Sequence, residues 1–105
     1  MPGELEGMGR FSQPALLVLT SLAAGEKHGY AMIEDIKQIY GVELGAGTLY
    51  GAIARLERRG LIEPVPSEDR RRPYRLTSRG AEALRARLSN LHRFAQTGLR
   101  RLDAS

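Results

Sequence analysis

Apolar positions recur along this chain with two different periods, and the switches between them outline its elements. Ser12, Gln13 and Pro14 lead into an apolar run, ALLVLTSLAA, that ends before Gly25. Proline is tolerated in a first helical turn because its missing N–H would be unpaired there, so the run predicts a buried first helix. After the turn GEKHG, residues Met32, Ile33, Ile36, Ile39 and Tyr40 stand at helical spacing until Gly41 stops them. This predicts a second, amphipathic helix. The connector VELGAG, with Gly45 or Gly47 supplying the turn, opens a third helix over residues 46–59, with Gly60 as its stop. Two helices on so short a join make a helix-turn-helix.

Beyond Gly60 the period becomes that of extended chain. Leu61, Ile62 and Val65 lead to Pro66, and after the tip SEDRRR the segment Tyr74-Arg75-Leu76 returns, predicting a two-stranded hairpin. Pro64 cannot donate to a ladder and so belongs on an edge. Thr77 is placed to cap a last long helix reaching to about residue 102, in which Leu84, Leu88, Leu91, Ala95 and Leu102 fall on one seam. The fold expected is mainly α with a small β-hairpin, a winged helix-turn-helix over residues 12–77 followed by a C-terminal dimerisation helix and tail over 78–105. Residues 1–11, rich in glycine and glutamate, read as a flexible lead-in.

At about 100° per residue, Leu49, Ala52, Ile53 and Leu56 of the third helix share the inward arc. Gly47, Gly51, Ala54, Arg55 and Arg58 lie opposite, flanked by Thr48 and Tyr50. The outward arc is therefore small at its start and cationic further along, which suits a surface that enters a nucleic-acid groove. Hydroxyls on Thr48 and Tyr50 can bond phosphate or base edges, and Arg55 suits a guanine edge or a phosphate. Gly51 inside a helix costs about 1 kcal/mol against alanine, so it calls for a close approach or a packing reason. Arg58 and Arg59, in the last turn, are assigned instead to the helix dipole.

Charge agrees with that reading. The chain of 105 residues carries +4 overall, and the stretch 46–75 holds seven arginines against four carboxylates. Arg70, Arg71 and Arg72 tip the hairpin directly after the candidate reading helix, where they can contact backbone phosphates. Lys27 and Lys37 read as solvated, and Tyr30 as core or turn packing. The chain has no cysteine and two histidines far apart in sequence, His28 and His92. No disulfide, metal site or cofactor motif is expected, and no enzyme. No apolar run is long enough to span a bilayer and the first residues do not read as a signal peptide, so the expected location is cytoplasmic.

Three blocks in this order, HGYAMIEDI at residues 28–36, GTLYGAIARLERRGLIE at 47–63 and RRRPYRLTSRG at 70–80, make the chain similar to the PadR family of bacterial transcriptional regulators, in its short form with a single C-terminal helix. The resemblance implies a homodimer formed through that helix, and repression at palindromic operators in double-stranded DNA. It places Gly47–Tyr50 at the start of the recognition helix and the arginine-rich turn before Tyr74 at the wing tip. Two positions depart from the family pattern: Gly51 stands where proline or another residue is common, and the last helix has no tryptophan. A small hydrophobic or aromatic effector is the expected ligand class, with Phe11, His92 and Phe94 as candidate contacts. The competing function is a winged-helix protein-interaction module without specific DNA binding.

Overall fold

A computed structural model of the protein describes residues 12–68 and 70–104. The lead-in over 1–11, with Phe11, and Asp69 of the wing tip lie outside the described residues. Four helices and three short strands follow in the order α1 (Ser12–Ala23), β1 (Lys27–His28), α2 (Gly29–Tyr40), α3 (Ala46–Arg58), β2 (Ile62–Pro64), β3 (Pro73–Leu76) and α4 (Ser78–Ala104). The molecule measures 57 × 30 × 23 Å. Its long dimension reflects α4, whose 27 residues at about 1.5 Å each make a rod of about 40 Å.

One core draws on every helix. Ala15, Val18, Leu19 and Leu22 of α1 meet Met32 and Ile36 of α2, the four inward residues of α3, and then Leu61, Ile62, Tyr74, Ala83 and Leu84. The inward arc expected for α3 is the buried one: Leu49, Ala52, Ile53 and Leu56. The helix stops also lie where glycine's freedom is needed. Gly41, after α2, has φ 66°, and its N–H donates to the Lys37 carbonyl. Gly60, after α3, has φ 74° and donates to the Glu57 carbonyl at 3.0 Å. The connector before α3 differs from expectation. Gly45 sits at φ −69°, and neither it nor Gly47 has a positive φ, so no left-handed turn is made there.

The wing is a three-stranded antiparallel sheet rather than a two-stranded hairpin, in the order β1-β3-β2. β2 pairs with β3 in the register Ile62↔Leu76, Glu63↔Arg75 and Pro64↔Tyr74, which leaves Pro64 on an edge strand as its missing donor requires. The added strand β1 pairs Lys27 with Tyr74 and His28 with Pro73. It ties the beginning of α2 to the returning arm of the wing.

Two side chains near β1 also correct the sequence reading. Lys27 is not simply solvated: its Nζ donates to the Ser21 carbonyl at 2.6 Å and lies 3.9 Å from Asp35. The Ser21 hydroxyl donates to Asp35 Oδ2 at 2.6 Å, so α1, β1 and α2 share one half-buried polar knot. Tyr30 is not core packing, being 61% exposed. Gly29 occupies the buried position beside it.

α4 begins on a tight backbone crossing. Thr77 caps it, its hydroxyl accepting from the Gly80 N–H at 3.0 Å and donating to the Gly60 carbonyl at 2.7 Å. The Thr77 N–H donates to the Leu61 carbonyl at 3.1 Å. Gly80 packs on that same carbonyl, and any Cβ there would collide with its oxygen and stand 2.8 Å from its carbon. Leu84, expected on the dimer seam, is 5% exposed and belongs to the chain's own core. The reason is position: it lies little more than one turn beyond Gly80, where α4 still rests on the body of the domain.

Candidate nucleic-acid interface

The outward side of α3 is built by subtraction. With the four apolar residues turned inward, Gly47, Thr48, Ala54 and Arg58 are exposed, Tyr50 is 53% exposed, and Gly51 and Arg55 are half-buried. Gly51 lies beneath the Arg55 side chain. The guanidinium folds back along the helix, and its nearest nitrogen is 3.1 Å from where a Cβ on Gly51 would stand. The close approach expected at Gly51 is thus made by a side chain of the same helix, one turn on. Gly47, Thr48, Gly51 and Arg55 border a hollow of about 230 Å³ closed on its far side by Pro14 of α1.

Tyr50 faces another way. It borders a second hollow, of about 300 Å³, together with His28, Gly29 and Tyr30 at the start of α2, Tyr74 of β3, and Arg70, Arg71 and Arg72 of the wing tip. The structure therefore brings the wing arginines and Tyr50 to one hollow, while Gly47, Thr48, Gly51 and Arg55 border another. All three wing arginines are exposed. Arg75 is not part of this group, because across the strand pair its Nε donates to Glu63 Oε2 at 2.8 Å. That hydrogen bond, and then the Glu63 charge, raise the Arg75 pKa above its usual value.

Sequence reasoning missed the contribution of α2. His28 caps this helix, its Nδ1 accepting from the Ala31 N–H at 3.3 Å. Gly29 receives the Tyr50 ring: a Cβ there would stand 2.5 Å from the hydroxyl oxygen, 2.8 Å from Cζ and 3.0 Å from Cε1. In the sequence Gly29 reads as the end of the turn GEKHG, and only the structure places it at the start of α2 with no left-handed turn to make.

The remaining candidates lie along α4. Leu88, Leu91, Ala95 and Leu102 are all exposed, Leu91 at 39% and Leu102 at 73%. Leu99, also exposed, falls on the same side at about 60° from Leu102 and joins the stripe. A groove of about 480 Å³ runs between the end of α1, β3 and α4, lined by Ala23, Leu76, Leu84, Leu88 and the polar Arg85, Ser89 and His92. Phe94 does not line it, being about 160° from His92 around the helix axis. The effector candidates are thus not gathered into one site, and Phe11 lies outside the described residues. Among the described residues no cluster of three His, Cys, Asp or Glu is placed to hold a metal ion, and no helix is long and apolar enough to cross a membrane.

A helix-turn-helix whose second helix shows a small and cationic outer face, followed by a three-stranded wing, defines the winged helix-turn-helix class. Within that class the chain belongs to the PadR-like family of transcriptional regulators, whose family model matches residues 18–86. It is 42% identical over 86 residues to an uncharacterised 37.1 kDa protein in transposon Tn4556 of Streptomyces fradiae. That match takes in 82% of this chain and 25% of the other, so the chain spans a quarter of this curated relative's length. Among solved structures, a PadR family transcriptional regulator from Eggerthella lenta is 28% identical, with a TM-score of 0.73 over 87% of this chain and 82% of that one. A transcriptional regulator from Clostridium thermocellum shares the fold at 23% identity, with a TM-score of 0.74 over 95% and 97%.

Proposed function

We propose that this chain binds double-stranded DNA as a homodimer and represses transcription from a pseudopalindromic operator. The observation that carries this reading is that Tyr50, on the outer side of α3, and the wing arginines border one hollow. A groove-entering helix and a phosphate-binding tip act together only if they share a surface. In this reading α3 enters the major groove and Thr48, Tyr50, Gly51 and Arg55 meet base edges. Gly47, by having no side chain, admits the backbone. Arg70, Arg71 and Arg72 hold flanking phosphates, which gives affinity without sequence preference. Residues 12–77 are the DNA-binding unit, and 78–105 pair with a second copy through Leu88, Leu91, Ala95 and Leu102. A small hydrophobic or aromatic effector entering the groove beside His92 would release DNA by changing the angle between the two copies.

Footprinting on the DNA upstream of this protein's own coding sequence tests the reading. Two protected half-sites related by two-fold symmetry, with centres about 34 Å apart, are expected. Neutralising roughly six phosphates gives a slope of log K against log salt near −5. A single unsymmetrical half-site, or a slope near zero, would overturn the reading. Arg55→Glu and Arg71→Glu separate it from a protein-interaction module: a DNA binder loses affinity and its salt dependence, which a protein interactor need not.

A further inference from the structure

We infer that Gly29 is a positioning residue for DNA reading: its missing Cβ seats the Tyr50 ring against the start of α2 and so fixes where the Tyr50 hydroxyl is presented. This rests on the DNA-binding reading above and goes beyond it, since Gly29 is buried and has no side chain with which to read a base.

Three observations combine. First, the ring lies where a Gly29 Cβ would be, with its hydroxyl oxygen, Cζ and Cε1 all within 3.0 Å of that point. No side chain larger than hydrogen leaves the ring in this place. Second, Gly29 is not required by its own backbone. Among the described residues the glycines with positive φ are Gly25, Gly41 and Gly60, and Gly29 sits at the first position of a helix that alanine would favour. Its use there is explained by the ring and not by a turn. Third, the seat is anchored to the wing. β1 pairs His28 with Pro73, so the residue next to Gly29 is held by the strand that returns from the arginine tip. Tyr50 and Arg70, Arg71 and Arg72 then border the same hollow.

The consequence is a shared frame. A tyrosine on an exposed helix face samples more than one χ1 well, and each well puts the hydroxyl in a different place. Closing the alternatives before DNA arrives removes an ordering cost at binding, which favours the site that needs this geometry over sites that do not. The wing arginines meet phosphate on any sequence, so the seat affects discrimination more than general affinity.

Two measurements on the full chain test this. Without DNA, the Gly29 α-protons should carry a ring-current shift that Tyr50→Phe keeps and Tyr50→Ala abolishes. With DNA, duplexes are selected from a random pool by the wild-type protein, and affinity is measured for the selected and a scrambled duplex. Gly29→Ala should weaken the selected duplex about tenfold, the value of one hydrogen bond, and the scrambled one less than twofold. In a Tyr50→Ala background the same change should do nothing further. Tyr50→Phe, which leaves the fold and the seat in place, should lose selected-duplex affinity by a similar factor and decides the matter if Gly29→Ala does not fold. Equal losses on both duplexes, an undiminished Gly29→Ala effect without Tyr50, no effect of Tyr50→Phe, or an absent ring-current shift would each overturn the seat while leaving DNA binding intact. Failure of the wild-type protein to select any duplex overturns the DNA-binding reading, and the seat's role with it.

Discussion

The two halves of α4 have the same apolar period and opposite surroundings. In the first, Gly80, Ala83 and Leu84 are buried against α1, β3 and the Leu61 carbonyl. From Leu88 onward every described residue of the helix is exposed, although Leu88, Leu91, Ala95 and Leu102 continue the stripe that Leu84 begins. The difference teaches that a period identifies a face but not what covers it. Coverage depends on how far the rest of the domain reaches, and α1, at 12 residues, ends well short of a helix of 27.

Substitutions along the helix put this contrast to the test. The largest effect is expected from Gly80→Ala, because the obstacle is a backbone carbonyl that cannot turn aside. A loss of about 3 kcal/mol is expected, which at about 4–8 °C per kcal/mol lowers the midpoint of thermal unfolding by more than about 10 °C. A shift of a degree or two would mean the crossing is looser than it looks. Leu84→Ala comes next, at about 2–3 kcal/mol in urea unfolding, with little change in self-association measured by sedimentation. Leu91→Ala should do the converse, leaving the urea midpoint of a dilute sample alone and weakening the dimer about tenfold. If both leucines behave alike, the division between the halves is wrong. The smallest effect is expected in α3: Gly51→Ala should raise stability by about 0.5–1 kcal/mol through helix propensity while pushing Arg55 outward. Its signature would be a higher unfolding midpoint together with poorer discrimination between duplexes.

Much of the fold was legible because each signal was local and repeated. The inward arc of α3 was named by four residues agreeing on one direction, and the stops at Gly41 and Gly60 by glycine following the last periodic residue. Thr77 announced itself as a hydroxyl just before a long apolar-striped segment. β1 was not legible, since two residues cannot show an alternation, and Lys27–His28 reads as part of a turn. Missing β1 hid what depends on it: the anchoring of α2 to the wing and the seat that Gly29 offers Tyr50. Tyr30 reads as core or turn packing, and its exposure removes the first of these. Leu84 was assigned to the seam because it keeps the period, and only the crossing at Gly80 reveals how close it lies to the core. Of the candidate site, α3 and the arginine tip came from charge and phase, whereas their meeting at Tyr50 is a tertiary fact.

The knot at Thr77 also has a mechanical meaning. Its hydroxyl and N–H grip the chain just past the end of α3, at Gly60 and Leu61, while its own residue starts α4. The two helices are in effect welded through two residues of backbone, and α4 is a lever of about 40 Å mounted on that weld. Tilting the lever by about 10° carries its free end through about 7 Å, by the same length. Read in the other direction, holding the free ends of two such levers together would set the aim of both copies of α3.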